Sequence, residues 1–139
     1  MKQIPRTENA LVLRTDFSND LIWKAICEEI QTPVGIFHFR ANVEFLDDAQ
    51  YASITKEQLL ELIPSNYDHS FIVIADQTAI SHPDRPLLVV DLYEGSGNEF
   101  RAIPPQMQSI ENNLSIANMD FEEFAEAVDA DGIFRGLSK

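Results

Sequence analysis

The sequence has one cysteine, Cys27, among its 139 residues, so no intrachain disulfide can form and nothing points to an oxidising compartment. The nitrogen and sulfur ligands that zinc favours are scarce too: there are three histidines and this single thiol, with no zinc-like spacing. No apolar run approaches the roughly 18 residues that span a bilayer, and the first ten residues, MKQIPRTENA, hold no signal-like apolar stretch. Basic residues are few, ten against 23 acidic, for a formal charge of -13. Such a charge repels phosphate backbones and anionic lipids. The expectation is a cytoplasmic protein that binds neither nucleic acid nor membrane, with a basic protein as the partner its charge would attract. Also missing are GxGxxG after a strand, GxxxxGK[ST], the GxSxG elbow and HExxH, which removes the common phosphate, nucleophile and zinc-protease signatures.

The hydrophobic fraction is 45% and the charged fraction 24%, the balance of one globular domain that needs neither disulfide nor metal to fold. Residues 1–9 are polar, with Pro5 and no periodicity, and predict a flexible lead-in to a single domain over 10–139. ALVLRT, from Ala10, has the length and unbroken apolarity of a strand covered on both faces. Ile22, Ile26 and Ile30 then recur at helical spacing beside Trp23 and Cys27, so a helix is expected at about 19–31, capped by Asp16, Ser18 or Asn19 and ended by Pro33. Cys27 on that stripe reads as a small core residue.

Polar and apolar residues alternate over 41–46, the pattern of an edge strand, and Thr55 with Gln58 forms a capping box for a helix at about 55–63. FIVIA at 71–75 and LLVV at 87–90 are the strongest buried strands. Their connection holds two prolines and no helical pattern, so these two strands are expected to pair antiparallel. Gly95-Ser96-Gly97 suggests a tight hairpin turn that would place Asp91 opposite Arg101 as a cross-strand ion pair. Asp120 with Glu123 begins a third helix at about 120–129, and Ile133 with Phe134 forms a terminal apolar plug.

Ligands in open α/β sheets sit beyond the carboxyl ends of parallel strands. Asp16 and Asp76 fall there, which makes them the candidate metal ligands, for a divalent cation held by oxygen. His82 is the candidate acid or base and Arg85 the candidate anion clamp of such a centre. Helix capping is the simpler role for both aspartates, and a loop position the simpler one for His82. Asn112, Asn113 and Asn118 lie among Leu114, Ile116 and Met119; they are either a scaffold bonding to backbone groups or candidate ligand-binding amides.

Several strings stand out as specific: LVLRTDFS at 11–18 with Trp23, LVVDLY at 88–93, Phe100-Arg101, ENNLSIANMDFEEF at 111–124, and GIFRG at 132–136. Over about residues 10–136 the chain resembles a family of short bacterial proteins catalogued as a domain of unknown function. The resemblance implies a bacterial origin and a self-contained domain, and it assigns no catalytic or ligand residue.

The expected fold is α/β, a mixed sheet of about five strands with a central parallel pair and an antiparallel meander, covered by about three helices. The expected function is a non-catalytic interaction protein, of the immunity or accessory kind, binding another protein through an acidic surface without a cofactor. The alternative is a small metal-dependent enzyme or ligand binder built on Asp16 and Asp76.

Overall fold

Strand β1 (Ala10–Arg14) is buried along its whole length because helices or loops cover both faces of the sheet around it. The structure, a computed structural model, describes residues 1–137. After β1 come α1 (Asp20–Gln31), the edge strand β2 (Val43–Leu46), α2 (Lys56–Glu61), β3 (Phe71–Ala75), α3 (Gln77–Ser81), β4 (Leu87–Asp91), β5 (Glu99–Ala102), α4 (Met107–Ser115), α5 (Phe121–Ala125) and β6 (Ile133–Phe134). The sheet order is β2-β1-β3-β4-β5-β6. β1 runs parallel to both β2 and β3, β4 is antiparallel to β3 and β5, and β6 lies parallel to β5.

Local chemistry explains the helix starts. Asn19 accepts the Ile22 N–H and caps α1, while Thr55 and Gln58 exchange bonds in a complete capping box before α2. Before α5, Glu123 Oε1 accepts the Asp120 N–H at 3.0 Å, while the Glu123 N–H donates to the Asp120 backbone carbonyl at 3.0 Å. Alternation along the strands then sends side chains to two cores. On one face Val12, Val73, Val89 and Phe100 pack under Ile26 of α1, Ile110 of α4 and Phe124 of α5. On the other, Leu11, Leu13, Ile72, Ile74 and Val90 pack with Leu59 of α2, Tyr51 and Ile4. Residues before Ala10 form no strand or helix, yet Ile4 is 1% exposed and its N–H donates to the Leu62 carbonyl at 2.8 Å.

The architecture exceeds the expectation by one strand and two helices. α3 is a five-residue helix capped by Asp76, too short to show a period. α4 places Met107, Ile110 and Leu114 on one buried side despite its Asn-rich composition. The terminal plug is a sixth strand, because Ile133 and Phe134 pair with Arg101 and Ala102. Phe134 also meets Phe124 edge-on, with centroids 5.3 Å apart.

The β4–β5 register requires a correction. Arg101 pairs with Leu88, three residues from Asp91, and Val89 faces Phe100. The Gly95-Ser96-Gly97 segment is not a tight turn, since Asp91 organises a wider loop. Its Oδ1 accepts the Tyr93 N–H at 3.0 Å, its Oδ2 accepts the Ser96 hydroxyl at 2.8 Å, and its N–H donates to the Asn98 carbonyl at 2.8 Å. Arg101 is thereby freed from Asp91 and pairs with Asp76.

Candidate functional site

The chain crosses from β1 to β2 through α1 on one face and from β2 to β3 through α2 on the other, so the carboxyl ends of β1 and β3 form a topological switch point. Asp16 and Asp76 do sit at those ends, and the Thr15 and Asp16 N–H groups both donate to the Ala75 carbonyl. Both carboxylates are engaged there. Asp16 accepts the N–H of Ser18 at 2.8 Å and its hydroxyl. Asp76 caps α3 through the Ala79 N–H at 3.1 Å and takes both terminal nitrogens of Arg101, at 3.0 and 2.7 Å.

Arg14 occupies the same crevice and is 3% exposed. Its Nη2 pairs with Asp20 at 2.6 Å, its Nε donates to the Asp16 carbonyl at 3.0 Å, and its guanidinium stacks over Phe17 at 4.4 Å. The switch point of this sheet is therefore occupied by the chain's own side chains. His82 Nδ1 accepts the Asp84 N–H at 3.0 Å, which leaves its proton on Nε2. Arg85 pairs with Glu29 at 2.6 Å and lines, with Asp84 and Arg135, a cavity of about 380 Å³. Among the described residues, no group of three or more His, Cys, Asp or Glu side chains is gathered to hold a metal ion. Burial, then the Asp47 carboxylate, pushes the Cys27 thiol up to about 12, far from a nucleophile at neutral pH.

The three asparagines lie on α4 and just beyond it. Asn112 donates to the Arg40 carbonyl at 3.1 Å and to Glu111 at 2.8 Å, and Asn113 donates to the Ser109 carbonyl at 2.8 Å. Asn118 donates to Asn113 Oδ1 at 2.9 Å. Each side chain thus ties the backbone or a neighbour in place. Glu111 itself is 4% exposed and accepts the Asn42 N–H at 2.6 Å and the Ser115 hydroxyl at 2.6 Å.

A wide opening lies at the other end of the sheet, where β3 begins and β4 ends. It is a cavity of about 940 Å³ whose lining, among the described residues, includes five carboxylates, Asp68, Asp91, Glu94, Asp120 and Glu122, and no lysine or arginine. Phe71, Leu114, Met119 and Phe121 give it an apolar wall, and His69, Tyr93 and Ser96 complete the polar part. Its acids differ in role. Asp91 is 6% exposed and holds the β4–β5 loop, whereas Asp68, Glu94 and Glu122 are exposed to solvent. His69, whose Nε2 donates to the Thr7 carbonyl at 2.8 Å, and Ser115 also line a second cavity of about 490 Å³ containing Glu8, Asn42, Glu111 and Asn112. Together the two openings run along one end of the sheet.

A family model described as a domain of unknown function (DUF6924) matches residues 9–137. The chain belongs to this family. No curated protein matches it.

Within this DUF6924 domain, sequence reasoning placed the candidate site at the carboxyl ends of β1 and β3 and missed the acidic cavity. Its acids come from segments 68–71, 91–96 and 114–122, which only the fold brings together. One signal was available: antiparallel pairing of β3 with β4 sets Asp91 beside Phe71, away from Asp76.

Proposed function

We propose that this protein is a non-catalytic interaction factor that receives a basic segment of another protein in the acidic cavity at the start of β3. The observation that carries this reading is the lining: among the described residues, five carboxylates without a Lys or Arg, beside a wall of Phe71, Leu114, Met119 and Phe121. Carboxylates close together on a low-dielectric wall reinforce one another's field and attract an extended cation, while the apolar wall rewards the methylene stems of Lys and Arg. The volume falls in the range, about 300–1,000 Å³, that takes a drug-sized group or a short run of side chains. The overall charge of -13 adds long-range steering for a basic partner. An accessory or immunity role, in which an acidic protein covers a basic surface, follows the same chemistry.

The alternative centred on Asp16 and Asp76 is less well supported, because a cation there must compete with the Arg101 guanidinium and with the Ser18 donors. The test is fluorescence anisotropy with a short labelled peptide of alternating lysine and leucine. The native protein binds it, more weakly as salt rises, and Glu94→Lys with Glu122→Lys weakens binding by about tenfold or more. Equal affinity for that double variant, or for a glutamate–leucine peptide on the native protein, overturns the reading.

A further inference from the structure

The longest stretch of the chain without a carboxylate is residues 30–43, and its only charged or titratable side chains are His38 and Arg40. Inside it Val34 and Phe39 exchange backbone hydrogen bonds of 2.7 and 2.9 Å, closing a small hairpin that turns through positive φ at Gly35 and His38. Its foot is tied to α4, where Asn112 holds the Arg40 carbonyl and buried Glu111 accepts the Asn42 N–H. Its tip is bare: Ile36 is 86% exposed, Phe37 73% and Phe39 53%. The two rings touch each other, with centroids 5.9 Å apart, and no hairpin residue lines the acidic cavity of the same chain. Apolar side chains clustered and held in water mark a contact surface.

The chain itself carries the complementary surface. We infer that, in the absence of a basic partner, the hairpin of a second copy of this chain occupies the acidic cavity. Phe37 and Phe39 meet Leu114, Met119 and Phe121 of the neighbour, and Arg40 lies among its Glu94, Asp120 and Glu122. The inference rests on the reading of that cavity as a receptor for cationic, apolar segments. Hairpin and cavity are different patches, so copies either exchange hairpins in a two-fold dimer or join head-to-tail in a ring or an open chain. Repulsion between two acidic bodies opposes it at low salt and is screened beyond about 8 Å at physiological ionic strength, so this contact, unlike peptide binding, strengthens between those conditions.

Sedimentation equilibrium from micromolar to millimolar protein tests it, with Phe37→Ser/Phe39→Ser as the hairpin variant and Glu94→Lys/Glu122→Lys as the cavity variant. All four side chains are exposed, so both variants keep the native melting temperature. Native protein is expected to reach the mass of a dimer or more, and each variant alone to associate about tenfold or more weakly. An equimolar mixture of the two, which has one intact hairpin and one intact cavity, is expected to stop at a heterodimer. A native protein that stays monomeric, variants that associate as it does, or a mixture that stays monomeric overturns the inference. The hairpin variant still binds the lysine–leucine peptide; peptide binding without self-association defeats this inference alone, whereas loss of peptide binding by native protein defeats the cavity reading beneath it.

Discussion

Removing the Asp76 carboxylate should destabilise the fold rather than abolish a metal site. In Asp76→Ala, α3 loses its cap, the bond from the Ala79 N–H at 3.1 Å, which is worth about 1 kcal/mol. Arg101 loses two charge-assisted bonds, at 3.0 and 2.7 Å. The pair is 23% and 26% exposed, so solvent screens part of this and about 1–2 kcal/mol more is lost. The total, about 2–3 kcal/mol, lowers the melting temperature of a domain this size by about 6–12 °C. Asp76→Asn keeps one acceptor oxygen and should lose about half as much. Urea unfolding and thermal melts followed by circular dichroism measure both. A loss under about 0.5 kcal/mol for Asp76→Ala refutes the structural role. So does a rise in native melting temperature with magnesium, manganese or calcium that Asp76→Ala abolishes.

Ile4→Ala should cost about 2–4 kcal/mol in urea unfolding, because a side chain 1% exposed leaves a cavity under α2. Cys27 should resist alkylation at pH 8. The shift from 9.0 to about 12 lowers the thiolate fraction about a thousandfold, and the greater intrinsic nucleophilicity of such a thiolate still leaves labelling roughly thirtyfold slower than in denatured protein. Because the folded value is raised, its contribution to stability is complete below pH 9 and is lost as pH climbs towards 12, a decline that Cys27→Ala should remove. Hydrogen bonding to Arg135 holds the Asp131 carboxyl below its ordinary value of 3.8. That contribution is present above pH 3.8 and disappears as pH falls through the lower folded value, so the stability gap between native protein and Arg135→Ala should narrow in acid unfolding.

Strands β1 to β4 and helices α1, α2 and α5 were legible because their signals are local. ALVLR, FIVIA and LLVVD are continuous buried runs, α1 shows its 3.6-residue stripe, and the capping boxes at Thr55 and Asp120 mark their helices. The antiparallel β3–β4 pair followed from the character of its connection, and the expected central parallel pair is β1 beside β3. What escaped was held by distant partners. β6 is two residues whose pairing depends on β5 and an aromatic cluster, and the β4–β5 register depends on Asp91 gathering Tyr93 and Ser96 into a wide loop. Asp16 and Asp76 were correctly placed at strand ends, but their engagement with Ser18 and Arg101 is a tertiary fact. The Arg101–Asp76 pair in particular is invisible in a sequence where a glycine-rich turn offers Asp91 instead.

Two-dimensional ¹⁵N–¹H NMR of the native protein, titrated with the lysine–leucine peptide, locates the binding surface directly. The cavity reading predicts shifts concentrated at Ser70, Ser96, Ser115, Met119 and Glu122, with Ser18, Thr78 and Arg101 undisturbed. Shifts centred on Asp16, Asp76 and Arg101, or none at saturating peptide, would contradict it.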